Sequence, residues 1–140
     1  MILPDVNILI HAVNIDSPRH SHICSWWDDC LSGPIPVYIP WVVILGFVRI
    51  STNRRIFNTP LTLNEASGYI DSWMEQPLVR TITPGEGHWN LIMKLLAEAG
   101  TAGNLTTDAH IAAMAIQWDC TVYSTDTDFA RFSGVRWKQP

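Results

Sequence analysis

Short β-branched and apolar runs alternate with segments of helical apolar spacing along almost the whole chain. Ile2 to Leu9 suits a buried first strand running into a loop or helix. Val37 to Ile39, Val79 to Ile82 and Thr121 to Ser124 read as further strands, with Val135 to Trp137 as a last edge strand. Between them, Ser17-Pro18 opens a helix to about Leu31, with Ile23, Trp26, Trp27 and Cys30 inward. Pro40 opens another through Ser51. Thr62-Leu63-Asn64-Glu65 is a capping box leading into Leu63, Ala66, Ile70 and Trp73. His88 to Ala99 is helical, with Trp89, Ile92, Leu95 and Leu96 on its apolar side and Gly100 as its stop. Asp108 to Trp118 repeats apolar residues at Ile111, Met114, Ala115 and Trp118. Such alternation implies an α/β fold with a mostly parallel sheet and helices on both faces. At 140 residues the expectation is a single domain spanning residues 1–140.

Composition removes several classes. Hydrophobic residues make up 47% and charged residues 16%, with seven Trp, too apolar for a disordered chain. The longest apolar run, Trp41 to Val48, is far shorter than the roughly 20 residues that span a bilayer. Met1-Ile2-Leu3-Pro4-Asp5 carries no basic region or cleavage site, so a cytoplasmic, membrane-free protein is expected. Cys24, Cys30 and Cys120 are odd in number and lack CxxC spacing, as reduced thiols would. The net charge of −4 argues against a broadly basic polyanion binder. The basic residues do gather locally, with Arg49, Arg54 and Arg55 in one group and Arg131, Arg136 and Lys138 in another.

Four acids fall where strands end or helices begin: Asp5, Asp108, Asp126 and Asp128. In a parallel sheet ligands bind beyond the carboxyl ends of the strands, and all four can reach that edge. Carboxylates without Lys or Arg beside them in sequence call for a cation, and oxygen-only ligands select Mg²⁺ or Mn²⁺. Each acid singly also reads as a helix cap or turn residue. Only their joint placement favours chemistry.

Other candidates are weaker. His20, His22, Cys24 and Cys30 lack zinc-ligand spacing, since only His20 and Cys24 share a helix face. His88 and His110 have no paired nucleophile. Gly85-Glu86-Gly87 lacks the Lys of a phosphate-binding loop. Trp26, Trp27, Trp41, Trp73, Trp89 and Trp118 fall on apolar stripes and are expected in the core, leaving Trp137 open.

Asp5-x-Asn7, Gly103-Asn104-Leu105 before Thr107-Asp108-Ala109-His110, and Ser124-Thr125-Asp126-Thr127-Asp128-Phe129 follow in an order that resembles PIN-domain ribonucleases. They look especially like the VapC toxins of bacterial toxin–antitoxin pairs. Phe47-Val48-Arg49-Ile50 and Phe132-Ser133-Gly134-Val135-Arg136-Trp137 fit the same group. The resemblance covers essentially the whole chain. It implies a three-layer α/β/α fold, a Mg²⁺- or Mn²⁺-dependent endoribonuclease, homodimerisation, and a small VapB-type antitoxin as partner. By position, Asp5 and Asp108 match the main metal-ligand residues, Asp126 a further acid and Asp128 a more peripheral one. Asn7 and Thr125 match polar residues that hold the acids. Gly46 departs from the pattern, because many PIN domains carry a Glu there, three residues before an Arg. That absence puts a second metal ion in doubt and leaves open a weakened fold that mainly binds RNA or a partner protein. A metal nuclease acting on DNA is also compatible with the residues. Arg54, Arg55, Arg131 and Lys138 are the candidates for gripping an RNA backbone, with Arg49 facing the site or a dimer contact.

Overall fold

The computed structural model describes residues 1–140. It is a three-layer α/β/α arrangement around five parallel strands: β1 (Ile2–Pro4), β2 (Val37–Pro40), β3 (Val79–Ile82), β4 (Thr121–Tyr123) and β5 (Arg136–Lys138). Six α-helices connect them: α1 (Val6–Val13), α2 (His20–Ser32), α3 (Trp41–Ser51), α4 (Leu63–Met74), α5 (His88–Ala99) and α6 (Thr106–Gln117). The strand order is β3-β2-β1-β4-β5. Successive connections therefore run one way from β1 and the other way from β4. That reversal makes a crevice between β1 and β4 at the carboxyl edge of the sheet, the usual place for a ligand in an open α/β fold.

The first strand is shorter than its apolar run suggests. Pro4 has no N–H to continue a ladder, and Asp5 turns the chain at once into α1, accepting from the N–H of Val6 at 2.6 Å. Apart from Asp5 and Asn7 the run stays apolar to Leu9 because that helix is buried at Ile8, Leu9 and Ala12. Pro40 ends β2 and opens α3 in the same way. The capping box forms as expected, with Glu65 accepting from the Thr62 N–H at 2.7 Å and Thr62 from the Glu65 N–H at 3.1 Å.

The core joins Leu3, Val37, Ile39 and Val122 of the sheet to Ile8, Ile23, Phe47, Leu95 and Met114 of the helices. Trp27 and Trp73 meet edge to face at 5.8 Å, and Trp73 meets Phe47 at 5.0 Å. Three other tryptophans depart from expectation. Trp41, Trp89 and Trp118 are exposed rather than in the core. α3 and α5 pack on one side only, and Trp41 and Trp89 lie beyond that arc. Trp118 follows α6, where its ring meets Tyr38 edge to face at 5.8 Å and its indole N–H donates to the Thr83 carbonyl at 3.0 Å. No helix is long and apolar enough to cross a membrane.

Candidate metal centre and its cleft

Asp5 and the segment Ser124–Asp128 emerge on either side of the switch point. The Asp5 N–H donates to the Tyr123 carbonyl at 2.9 Å, which ties the first acid to the strand that delivers the last two. Asp5 is buried, and its carboxylate is held on three sides. Val6 N–H donates to Oδ1, while the Asn7 amide and the Ser124 hydroxyl each donate to Oδ2 at 2.7 Å. Ser124, fully buried, also accepts from the Asn7 amide at 2.8 Å and from the Asp126 N–H at 3.0 Å. One hydroxyl thus binds three parts of the site together.

Ser124 is the residue that sequence reasoning passed over. Thr125 was expected to steady the acids, but it contributes its main-chain N–H, which donates to Asn7 Oδ1 at 3.2 Å. The available signal was the strand pattern. In an extended chain, neighbours point to opposite faces, so if one of Ser124 and Thr125 faces inward the other faces out.

Carboxylate oxygens of Asp108, Asp126 and Asp128 lie within 4.8 Å of one another. Asp126 caps the 3₁₀ turn Thr127–Arg131, accepting from the Asp128 N–H at 2.9 Å. The turn brings Asp128 into the trio rather than leaving it outlying. Asp108 is not the cap of α6. It is the third helical residue, in the first turn, where a negative charge meets the positive end of the helix dipole. Asp5 stands beside the trio, close enough for its charge to be felt at Asp108.

Excess negative charge marks this cluster. Burial, and then the charges of Asp5, Asp126 and Asp128, push the Asp108 carboxyl up to about 6. Burial also raises Asp5 above the ordinary carboxylate range, against the opposing hydrogen bonds from Ser124 and Val6. The cation at the rim, Arg131, lies 4.0 Å from Asp128 and also donates to the Ala99 carbonyl. An all-oxygen set with uncompensated charge fits a hard divalent cation.

Across from the acids, α3 forms the second wall. A cleft of about 440 Å³ is lined by Asp5, Val6 and Asp108 on one side and by Val42, Leu45, Gly46 and Arg49 on the other. Gly46 does not adopt a positive φ. Its role is one of space, since a Cβ there would meet Val6 Cγ2 at 3.2 Å. The basic groups are divided. Arg49 faces the cleft, and Arg54 and Arg55 are exposed in the turn after α3. Lys138 is exposed opposite Tyr123 at the site edge, whereas Arg136 is drawn to the other edge by Asp119 at 2.6 Å. Trp137 donates to the Ser124 carbonyl at 3.3 Å.

This fold and cluster define a class. A family model described as PIN domain matches residues 2–135, and the chain belongs to that family. It is 39% identical to ribonuclease VapC33 of Mycobacterium tuberculosis, over all of this chain and 98% of that protein. Ribonuclease VapC37 of the same species is 38% identical over all of this chain and 97% of its own length. Among solved structures, VapBC2 of Rickettsia felis bound to a DNA fragment from their promoter superposes with a TM-score of 0.70 at 15% identity. That match covers all of this chain and 99% of the other.

Proposed function

We infer that this chain is a metal-dependent endoribonuclease acting as the toxin of a type II toxin–antitoxin pair. The main support is full-length similarity to ribonuclease VapC33 in a chain whose four acids converge at the switch point of the sheet. Asp108, Asp126 and Asp128 would hold Mg²⁺ or Mn²⁺, with Asp5 completing the set. A bound ion of this kind lowers the pKa of water at the site and neutralises charge that builds on a phosphodiester during attack. The chain's own contribution is positional. Ser124 and Asn7 hold Asp5 in one orientation, the 3₁₀ turn aims Asp126 and Asp128, and Asp5, Asp108 and Asp126 carry the catalysis. Arg54, Arg55, Arg131 and Lys138 grip the RNA backbone, whose phosphates make binding fall with salt. The protein works in the cytoplasm as a homodimer, restrained by a small VapB-type antitoxin, as the pairing in VapBC2 suggests.

RNA cleavage with Mg²⁺, absent in EDTA, tests this reading. Asp5→Asn and Asp108→Asn should each lower cleavage by orders of magnitude while circular dichroism stays unchanged. Full activity in both variants at saturating metal would sink it. Gly46 favours a second reading, a PIN fold with weakened catalysis that mainly binds RNA or a partner protein. Such a chain would retain RNA in the same assay without cutting it.

A further inference from the structure

Helix α3 carries an outer stripe that the acid cluster leaves unexplained. Trp41, Leu45 and Arg49 recur every four residues, each turned by about 40° and raised by about 6 Å from the last. Leu45 and Arg49 line the cleft opposite Asp5 and Asp108. Trp41 stands one turn before Leu45, where β2 leaves the sheet at the same edge as Asp5. Trp41 is 53% and Leu45 63% exposed, while Val43, Ile44 and Phe47 of the same helix already fill the core. Arg49 has no carboxylate within 4.0 Å. The fold therefore leaves about half of this Trp uncovered and gives this Arg no ion pair.

We propose that Trp41 is a stacking platform for one unpaired base of a single-stranded RNA whose adjacent phosphodiester enters the cleft. Leu45 flanks that base and Arg49 meets the backbone. The order aromatic, apolar, cation runs straight into an acidic site, and a polynucleotide alternates π-face and phosphate in the same way. An apolar protein segment on Trp41 and Leu45 would leave Arg49 unmatched. Unpaired bases are commonly held on aromatic side chains, and such stacking tolerates every base because each has a π-face. Trp41 touches no reacting atom in this scheme, so it is a positioning residue. The proposal rests on the ribonuclease reading above.

The test uses short single-stranded RNAs, selected from a randomised pool by wild-type cleavage in Mg²⁺. Trp41→Ala should raise KM by roughly 5- to 150-fold, the range that loss of one base–aromatic stack implies, with kcat little changed. Trp41→Phe should restore most of the loss. Substrates carrying one abasic ribose at successive positions locate the base. At one position the abasic substrate should raise the wild-type KM as Trp41→Ala does, and cost that variant nothing more. A wild-type KM in Trp41→Ala, or losses that add at every abasic position, would overturn the proposal. So would a dimer that becomes monomeric in Trp41→Ala by light scattering, because a second copy would then cover the stripe. If the wild-type protein cuts no RNA from the pool, the ribonuclease reading falls and this inference with it.

Discussion

The two walls of the cleft are built on opposite plans. On the acidic wall Asp5 and the Ser124–Asp128 segment are tied down: Asp5 accepts three hydrogen bonds, the Ser124 hydroxyl makes three, and Asp126 caps the turn that carries Asp128. On the α3 wall Val42, Leu45, Gly46 and Arg49 face the opening, and Arg49 is held by no ion pair. The difference teaches where rigidity is needed. Like charges held close together must be fixed by neighbours or they separate, whereas a wall that receives a ligand gains from open surface. Removing a hydrogen bond should therefore cost most on the first wall, and adding a methyl should tell most about the second.

Ser124→Ala is the largest expected change. It leaves the buried Asp5 Oδ2 with one donor fewer and removes the acceptor of the Asn7 amide and of the part-buried Asp126 N–H, a loss of about 1–3 kcal/mol. Asp5 also loses the hydrogen bond that most opposes its raised pKa. The denaturation midpoint should fall, and the acid limb of the cleavage profile should shift to higher pH. An unmoved midpoint and profile would show that the acidic wall is not braced through Ser124.

Charge repulsion comes next. In EDTA at neutral pH, Asp108→Asn should melt higher than wild type. The dipole of α6 offers its charge only about 0.3–1 kcal/mol, and the raised pKa means that burial and three acids outweigh it. The folded pKa of about 6 lies above the unfolded value near 3.9. Between the two, the folded state holds a proton that the unfolded state has released, so wild-type stability should rise as pH falls from 7 toward 4. Asp108→Asn should lose the Asp108 share of that rise and keep only the part that the raised Asp5 carboxyl supplies, and saturating Mg²⁺ at neutral pH should shrink or reverse the gap. Differential scanning calorimetry under these conditions decides it. A wild-type midpoint indifferent to metal, with Asp108→Asn the less stable protein in EDTA, would remove the metal cluster.

Glycine substitutions give the smallest effect and compare α3 with an open helix. At Gly68 in α4 a Cβ would meet no atom within 4 Å. Gly68→Ala should gain about 1 kcal/mol, or roughly 3 °C in Tm. Gly46→Ala should gain less, because its Cβ presses on Val6 Cγ2 at 3.2 Å and a helical Val has essentially one rotamer to offer. Equal gains would show that Val6 yields freely and that α3 is loosely seated on α1.

Much of the architecture was legible because it rests on local rules. The capping box at Thr62, the stop at Gly100, the helix after Pro40 and the strand at Val79 all depend on residues within one turn of each other. The four acids were legible as a set because strand ends in a parallel sheet share an edge. The alternative reading of each acid as a cap was correct for Asp5 and Asp126. Capping and clustering prove to be one arrangement, since a capping carboxylate is held at the start of an element at the sheet edge. Asp108 was misplaced by two residues, because the 3₁₀ turn Gly103–Leu105 and Thr106 start the helix earlier.

By itself the sequence determined the element types, the parallel α/β topology and the edge at which the acids collect, since periodicity, proline and capping act over a few residues. Only the tertiary structure decided which apolar residues are truly covered. Periodicity marks a face of a helix but not how much of that face a neighbour reaches, so Trp27 is buried and Trp41 is not. It also decided that Ser124 rather than Thr125 braces Asp5, and that Arg136 turns away while Arg49 faces the cleft. The first of these joins residues 119 positions apart, and the others depend on which side of a strand or helix faces its neighbours. Both are set by packing the whole chain at once.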